Sequence, residues 1–210
     1  MYIAIEGVIG VGKTTLARLL QPSFNADLLL EVFEENPFLS DFYSDRQRYA
    51  FQTQIFFLLS RYHQQHQSIP AILAQGHYLL SDYTFDKDSI FAQINLQGDE
   101  LAMYHSVHKA LGEKIPLPDL VIYLRASPDI LMQRIALRDR PYERKMEHRY
   151  IEQLNHAYDQ FFSRPDLGFP VMMIETGQLN IVSQVEDLKY IENRIRQELK
   201  LAPFQQVLPI

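Results

Sequence analysis

The chain has 210 residues, of which 47% are hydrophobic, and a formal net charge of −6. This length and hydrophobic content are enough for one buried core, so we expect a single domain over residues 1–210. The negative charge argues against a nucleic-acid partner, the lack of cysteine excludes a thiolate zinc site, and the lack of a bilayer-spanning apolar stretch or signal-peptide pattern predicts a cytoplasmic protein without a membrane partner.

Residues 7–14 match the phosphate-binding pattern G-x-x-x-x-G-K-[ST], with an apolar run before the glycines and a helical stretch after them. In such a loop, backbone N–H groups bind the β-phosphate of a nucleotide and the lysine places a charge near the β- and γ-phosphates. The threonine hydroxyl can ligate Mg²⁺. We therefore predict nucleotide binding by Gly7, Gly10, Val11, Gly12, Lys13, Thr14 and Thr15.

Five short apolar runs, separated by helical stretches, are typical of buried parallel strands. This alternation predicts an α/β fold with a parallel sheet covered on both faces, in which ligands bind at the carboxyl ends of the strands. The runs that end in Glu6, Glu31 and Asp82 place a carboxylate at this edge. The runs are Tyr2–Glu6, Ala26–Glu31, His77–Asp82, Leu120–Arg125 and Val171–Glu175.

Residues 48–66 show apolar positions at helical spacing, and Gln52 lies on the same face. A glutamine on an apolar face needs a hydrogen-bond partner. It can bond to backbone inside the core, or its amide can face a cavity and bind a polar ligand. The spacing alone favours neither role.

A further helix is predicted to begin after Ser127, because a proline and an acidic residue follow this N-cap. It carries Arg134 and Arg138 on one face, and Arg140 follows. Such arginines can stay solvated near a helix end. In a phosphate-binding protein they also fit a lid that closes on the nucleotide, which is the interpretation we favour. The last predicted helix, residues 181–201, has an apolar stripe that we assign to the core.

Several separate motifs follow one another along the chain, namely the phosphate loop, residues 31–37, Phe51-Gln52, Ser81-Asp82-Tyr83 and residues 138–143. Together they resemble the deoxyribonucleoside kinase family, especially the bacterial deoxyadenosine and deoxyguanosine kinases. The resemblance implies a three-layer P-loop kinase fold with a five-stranded parallel sheet and an arginine-bearing lid. It also implies transfer of the γ-phosphoryl group of ATP to the 5′-hydroxyl of a deoxyribonucleoside, with Mg²⁺, and a homodimer.

The resemblance further implies that Glu31 is the general base that takes the proton from the 5′-hydroxyl. Val32 stands where the family usually has proline. A strand-terminal acid can be merely structural, but the acceptor hydroxyl must lie beside the phosphate loop at this edge of the sheet, which favours the base. The other catalytic charges are expected from Mg²⁺ and from Lys13, Arg134, Arg138 and Arg140.

The same resemblance places the nucleoside. Gln52 would form paired hydrogen bonds with the nucleobase, and Phe51 and Phe91 would flank it, although either phenylalanine can instead be a core aromatic. Tyr43 and Glu143 would contact the 3′-hydroxyl of the sugar, unless Tyr43 only packs in its loop and Glu143 is solvated.

The third strand departs from the family pattern, which usually has Arg-Ser after the acid, because Tyr83 follows Asp82 here. Asp82 still fits a position beside the substrate and, with Thr14, a magnesium site. Lys87 or an arginine of the lid is expected to replace the missing arginine near Glu31.

We therefore predict a deoxyribonucleoside kinase, with a purine preferred because residues 34–37 resemble the bacterial purine kinases. A nucleoside-monophosphate kinase similar to thymidylate kinase would share the loop and sheet but would need cations for the acceptor phosphate. Glu31 and Gln52 suit a neutral acceptor better. A non-catalytic nucleotide-binding subunit that regulates a kinase is a third hypothesis, and the missing arginine is its only support.

Overall fold

The computed structural model describes residues 1–203, in which five parallel strands form one sheet in the order β2-β3-β1-β4-β5. The predicted parallel α/β fold is confirmed. The strands are β1 Tyr2–Glu6, β2 Ala26–Leu29, β3 Tyr78–Ser81, β4 Leu120–Arg125 and β5 Val171–Glu175. β2 and β3 end earlier than predicted. The reason is local, since the backbone N–H of Glu31 donates to the Asp82 carboxylate, 2.8 Å away, and not to a strand carbonyl.

Helices connect the strands, as parallel pairing requires. Their bounds are α1 Lys13–Phe24, α2 Leu39–Ser44, α3 Arg46–Ala74, α4 Lys87–Asn95, α5 Gly98–Gly112, α6 Pro128–Arg138, α7 His148–Phe162 and α8 Val185–Glu198. Short 3₁₀ turns occur at Phe33–Glu35 and Pro141–Glu143. The predicted cap of α6 is confirmed, because the Ser127 hydroxyl accepts a hydrogen bond from the N–H of Ile130 at 3.4 Å.

The hydrophobic core is centred on β1 and β4. Every residue of β1 is buried, because β1 lies in the middle of the sheet and helices cover both faces. The predicted last helix is shorter than expected, and Val185 at its start is 64% exposed, while Ile191 and Ile195 are buried. The chain therefore holds the carboxyl ends of β1, β2 and β3 side by side at one edge of a rigid sheet.

Candidate active site

The phosphate-binding loop joins β1 to α1 at the carboxyl edge of the sheet. Its backbone requires glycine, since φ is 143° at Gly7 and 105° at Gly12, and a Cβ on Gly7 would lie 2.5 Å from the carbonyl oxygen of Leu124. Left-handed conformations of this kind let neighbouring N–H groups form a concave anion-binding surface. The loop thus has the shape that phosphate binding needs.

Lys13 folds back over this loop. Its Nζ donates hydrogen bonds to the carbonyl oxygens of Gly7 at 2.6 Å and Val8 at 3.1 Å. Burial, followed by the nearby charge of Lys87, lowers the pKa of Lys13 to about 8. A phosphate beside Lys13 would favour its charged form, since an opposite charge offsets the cost of burial.

Thr14 and Asp82 bring a hydroxyl and a carboxylate oxygen into direct contact beside the loop. Thr14 Oγ1 donates to Asp82 Oδ2, while Asp82 Oδ1 accepts from the backbone of Glu31. Hard oxygen ligands of this type suit Mg²⁺, which commonly takes only one or two carboxylates in phosphate-transfer sites. Residues 1–203 contain no cluster of three or more His, Cys, Asp or Glu side chains that could hold a metal by themselves. The chemistry of the pair therefore fits a magnesium ion that takes few ligands from the protein.

One pocket, which we call the central pocket, opens beside the loop. Side chains from several elements at the carboxyl edge of the sheet line it. Most of the sequence-predicted site residues line it. Its lining consists of Ile9, Gly10, Lys13, Thr14, Glu31, Phe33, Leu39, Tyr43, Gln54, Phe57, Arg61, Asp82, Lys87, Phe91, Arg138, Arg140, Tyr142 and Glu143.

Glu31 lies two residues beyond β2 and its side chain is only 14% exposed. Oε1 accepts from the Arg61 guanidinium, with Nε at 3.0 Å, and Oε2 accepts from Lys87 Nζ at 2.5 Å. Burial by itself would raise the pKa of Glu31, but Arg61 and Lys87 outweigh burial and hold this pKa well below its usual range. The carboxylate is therefore charged and fixed in orientation, and it lines the same pocket as Lys13 of the loop.

Arg61 is a site residue that the sequence reasoning missed. It projects from α3 and is held between two carboxylates, since it also contacts Asp88, whose side chain is fully buried. The guanidinium carbon lies 4.5 Å from the centre of the Phe57 ring. A signal was present, because an arginine seven residues after a glutamine lies on the same helical face.

Gln54, and not Gln52, carries its amide into the central pocket. Two residues on a helix are about 200° apart around the axis, so these glutamines point in nearly opposite directions. Gln54 is 2% exposed and its Oε1 has no hydrogen-bond partner in the described part of the chain, whereas Gln52 is exposed. Phe51 likewise packs against the core outside the pocket, and Phe57 lines it instead. The predictions for Gln52 and Phe51 are therefore wrong by a short register error on α3.

The error came from reading the wrong apolar stripe. The apolar positions of the predicted stripe include Ile55, which is only partly buried, and Leu59, which is 41% exposed. The inner face mixes apolar and polar residues, among them Leu58, Arg61 and Gln65. Because the buried face of α3 carries these polar side chains, the partly buried face has the more regular apolar stripe, and hydrophobic periodicity selected that face.

Comparison with known proteins identifies the family. The family model for deoxynucleoside kinases matches residues 3–200. The chain belongs to the deoxynucleoside kinase family. The deoxyguanosine kinase of Bacillus subtilis is 34% identical over 199 residues, which cover 93% of this chain and 96% of that protein. The deoxyadenosine kinase of Dictyostelium discoideum is 36% identical over 182 residues, which cover 84% of this chain and 73% of that protein.

Solved structures agree with the fold of this deoxynucleoside kinase. The deoxyadenosine kinase of M. mycoides with the products dCMP and dCDP bound has a TM-score of 0.81 at 26% identity, covering 94% of this chain and 100% of that chain. The same enzyme with bound dATP also gives a TM-score of 0.81, at 26% identity, covering 93% of this chain and 99% of that chain. The kinase is thus a phosphotransferase with a three-layer α/β sandwich, and its reaction is ATP-dependent phosphorylation of a deoxynucleoside at the 5′-hydroxyl.

In this kinase, Tyr43 and Glu143 both line the central pocket. The Tyr43 ring stacks on Tyr142, with 6.1 Å between ring centres. Glu143 is 5% exposed and accepts hydrogen bonds from Arg138 at 2.7 Å, while Arg140 lies 3.7 Å from the same carboxylate. Both predicted sugar contacts therefore line the pocket in which Glu31 lies.

The three arginines predicted for the lid have different surroundings. Arg138 and Arg140 line the central pocket, and Arg140 also covers the Phe33 ring at 4.1 Å. Arg134 instead donates to the carbonyl oxygen of Val11 at 3.2 Å and to that of Thr176 at 2.7 Å. It therefore joins the phosphate loop to the segment after β5.

Arg134 borders a second cavity of about 580 Å³, called the side pocket here, on the other side of the phosphate loop. The lining there is mainly apolar, and Leu137 and Val182 at its edge are 86% and 74% exposed. The predicted loop residues Val11, Gly12 and Thr15 also face this cavity.

Tyr83 occupies the position of the missing arginine, and Lys87 supplies a positive charge beside Glu31 instead. Tyr83 is buried and turns away, with its hydroxyl donating to Gln64 of α3. Of the replacements expected from the sequence, Lys87 contacts Glu31, whereas Arg138 binds Glu143. Phe91, on the same helix as Lys87, also lines the central pocket, and its ring centre lies 6.0 Å from Lys87 Nζ.

Within residues 1–203, no helix has the length and hydropathy needed to cross a membrane.

Proposed function

We propose that this kinase transfers the γ-phosphoryl group of ATP to the 5′-hydroxyl of a purine deoxyribonucleoside, as a step of nucleotide salvage. The observation that carries the proposal is the content of the central pocket. Lys13 of the phosphate loop, the charged Glu31 and Gln54, whose buried amide oxygen has no partner in the described residues, all line it. A phosphate donor, an acceptor hydroxyl and a general base can therefore meet in one pocket.

Glu31 is the residue that receives the 5′-hydroxyl proton. It lies beyond the carboxyl end of β2, on the side where the loop presents Lys13. Phosphoryl transfer needs little covalent help from the protein, so orienting the hydroxyl and neutralising charge are the main tasks. Arg138 and Arg140, which line the same pocket, add charge opposite the loop when a nucleotide is present.

Thr14 and Asp82 are the residues that would hold Mg²⁺, because their oxygen atoms touch beside the loop. An ion held there would help to neutralise the charge of the phosphate groups. The phosphate loop and the side pocket would bind the donor nucleotide. The apolar wall of the side pocket and Arg134 can contact the planar base of that nucleotide.

Gln54 is the residue proposed to form hydrogen bonds with the nucleobase. A buried amide presents one donor and one acceptor side by side, which complements the amino group and ring nitrogen of adenine. Phe57 and Phe91 line the same pocket and are the aromatic walls for the base. The names of the relatives, deoxyguanosine kinase and deoxyadenosine kinase, support a purine.

Tyr43 and Glu143 are the proposed contacts of the sugar 3′-hydroxyl. They reach the pocket from different elements, since Tyr43 lies on α2 and Glu143 in the turn after α6. A correct sugar would thus join the lid to the body of the enzyme.

The alternative of a nucleoside-monophosphate kinase is less well supported. An acceptor phosphate needs uncompensated cations, but Arg61 is paired with Glu31 and Arg138 with Glu143. Two carboxylates in the acceptor region would repel a second phosphate group. A non-catalytic subunit is also disfavoured, because Arg61 and Lys87 supply the charge that the missing arginine would have brought.

One assay tests the proposal. Purified protein is given ATP and Mg²⁺ with each of the four common deoxynucleosides and, separately, each deoxynucleoside 5′-monophosphate. We expect the highest kcat/KM with deoxyadenosine or deoxyguanosine. A leading pyrimidine contradicts the purine preference, turnover of monophosphates alone contradicts the acceptor, and no turnover at all contradicts the whole proposal.

We also propose a cytoplasmic homodimer whose residues 1–210 form a single domain, without a nucleic-acid or membrane partner. Family resemblance supports the dimer, and the single sheet of the described residues supports one domain. Residues 204–210 lie outside the described residues. Light scattering on the purified protein measures the subunit number, and a monomeric mass contradicts the dimer.

A further inference from the structure

Five cations line the central pocket. Arg138 and Arg140 lie against Glu143, and the other three differ in their partners. Lys13 is held by backbone carbonyl groups, and Arg61 by the two carboxylates of Glu31 and Asp88. Within residues 1–203, the one ion pair of Lys87 is with Glu31. The side chain of Lys87 is 7% exposed and lines the pocket together with Lys13.

Arg61 is fixed in place. Asp88 holds it from the protein interior, and the Phe57 ring covers its guanidinium carbon. Its planar fork already binds two carboxylates, so moving it to a phosphate would leave the buried Asp88 charge unpaired. Lys87 is different, since an ammonium group on a flexible stem with three donors can serve two anions at once.

The backbone of Lys87 is tied to the phosphate loop. Its N–H donates to the carbonyl oxygen of Thr84 at 3.3 Å, at the start of α4. Thr84 in turn donates from its N–H and hydroxyl to Glu6, at 2.6 Å and 2.9 Å. Glu6 is fully buried at the end of β1, and it also accepts from the N–H of Gly7 at 3.2 Å. Lys87 is therefore positioned relative to the first glycine of the loop by three successive hydrogen-bonded contacts.

The charge of Lys87 also affects Lys13 in the phosphate loop. After burial, it is the next largest cause of the lowered pKa of Lys13, so the two ammonium groups repel each other. Two like charges in a buried pocket are relieved by an anion between them. The group that must pass between the loop and Glu31 is the transferred phosphoryl group.

We propose that Lys87 is a catalytic residue that bridges Glu31 and the transferred phosphoryl group, in the role for which an arginine was expected at position 83. This inference rests on the proposed function. In the reaction the 5′-oxygen forms a bond to the γ-phosphorus, the bond from that phosphorus to the β,γ-bridging oxygen breaks, and ADP leaves. The 5′-hydroxyl proton goes to Glu31. Lys87 keeps its protons and hydrogen-bonds an equatorial oxygen of the moving group.

A set of variants at this position tests the inference. Lys87→Met should lower kcat by about 10²-fold or more, as for loss of other preorganised charges in phosphoryl transfer. KM for deoxyadenosine should change less than about threefold, because the base and sugar contacts remain. Lys87→Arg should recover a large part of kcat. Lys114→Met, which changes an exposed lysine, is the matched control.

Because the sequence contains no cysteine, a more specific test of Lys87 is possible. Lys87→Cys introduces a single thiol, which bromoethylamine converts into a side chain that ends in an amine at nearly the length of lysine. We expect the aminoethylated protein to regain activity, and the same protein treated with neutral iodoacetamide to remain as slow as Lys87→Met. Equal activity of the two treated proteins contradicts the inference.

A double variant separates contact with the phosphoryl group from mere positioning of Glu31. If Lys87 acts only through Glu31, then Glu31→Gln with Lys87→Met is no slower than Glu31→Gln alone. We expect a further loss of about tenfold or more, since the phosphoryl contact is independent of the base.

The outcomes also separate this inference from the proposed function. If the wild type phosphorylates deoxynucleosides and Glu31→Gln is slow, but a folded Lys87→Met keeps wild-type kcat, only the role of Lys87 is overturned. If the double variant shows no extra loss, Lys87 positions Glu31 and does not touch the phosphoryl group. If the wild type phosphorylates no deoxynucleoside, both the proposed function and the inference are contradicted.

Discussion

The phosphate loop and the acceptor side of the central pocket meet at the same point but are built in opposite ways. The loop is one contiguous segment, residues 7–14, and it acts largely through backbone groups. The acceptor side draws its side chains from α2, α3, α4, the segment after β2 and the turn after α6. A site formed by one contiguous segment can be recognised in a sequence as a pattern. A site formed by side chains from separate elements depends on which face of each element is buried.

The largest effect is expected on the loop side of the comparison. Lys13→Ala removes the ammonium group that the loop holds at Gly7 and Val8, so kcat should fall by about 10²- to 10³-fold while the fold persists. Steady-state kinetics and circular dichroism of this variant measure both quantities. Lys114→Ala, at an exposed lysine, should match the wild type. Full activity in a folded Lys13→Ala protein would refute the role of the loop.

A somewhat smaller effect is expected at the acceptor carboxylate. Glu31→Gln keeps the shape of the side chain but cannot take a proton, so kcat should fall by roughly 10²-fold with a modest change in nucleoside affinity. The change also leaves Lys87 without its ion pair, although Arg61 keeps Asp88, so the melting temperature is measured in parallel. Glu35→Gln, at an exposed neighbour, is the control. A loss confined to KM would show that Glu31 binds and does not catalyse.

This contrast explains what the sequence could and could not predict. The five strands follow from apolar runs, and the structure confirms the parallel sheet. The phosphate loop follows from fixed spacing, and the positive φ angles of its glycines fit that role. Glu31 and Asp82 were found because the carboxyl ends of parallel strands share one edge. These inferences depend on chain order and on the rules of parallel sheets.

The inner face of α3 could not be predicted in the same way. Gln52 and Gln54 are both glutamines on one long helix, and the more apolar neighbours of Gln52 favoured the wrong residue. Arg61 was missed because its partner carboxylates, Glu31 and Asp88, lie 30 and 27 residues away in the chain. Only tertiary packing decides which polar residues of a helix meet carboxylates from other elements.

The smallest effect is expected at the sugar end of the pocket. Tyr43→Phe removes one hydroxyl, and a neutral hydrogen bond is worth about 1 kcal/mol, or about fivefold. The preference for 2′-deoxynucleosides over 2′,3′-dideoxynucleosides should fall by that factor, because the site would no longer have a polar group left unpaired by the dideoxy sugar. Kinetics with both sugars, and with Tyr190→Phe as a control far from the pocket, decide the point. An unchanged ratio removes Tyr43 from the sugar site.

The central claim, that the inner face of α3 recognises the nucleoside, is tested most directly by calorimetric titration of deoxyadenosine into two matched variants. Gln54→Leu should bind at least about tenfold more weakly than the wild type, because the base loses its buried amide partner. Gln52→Leu, two residues along the same helix and exposed, should bind as the wild type does. Weakened binding in Gln52→Leu with unchanged binding in Gln54→Leu would contradict the account.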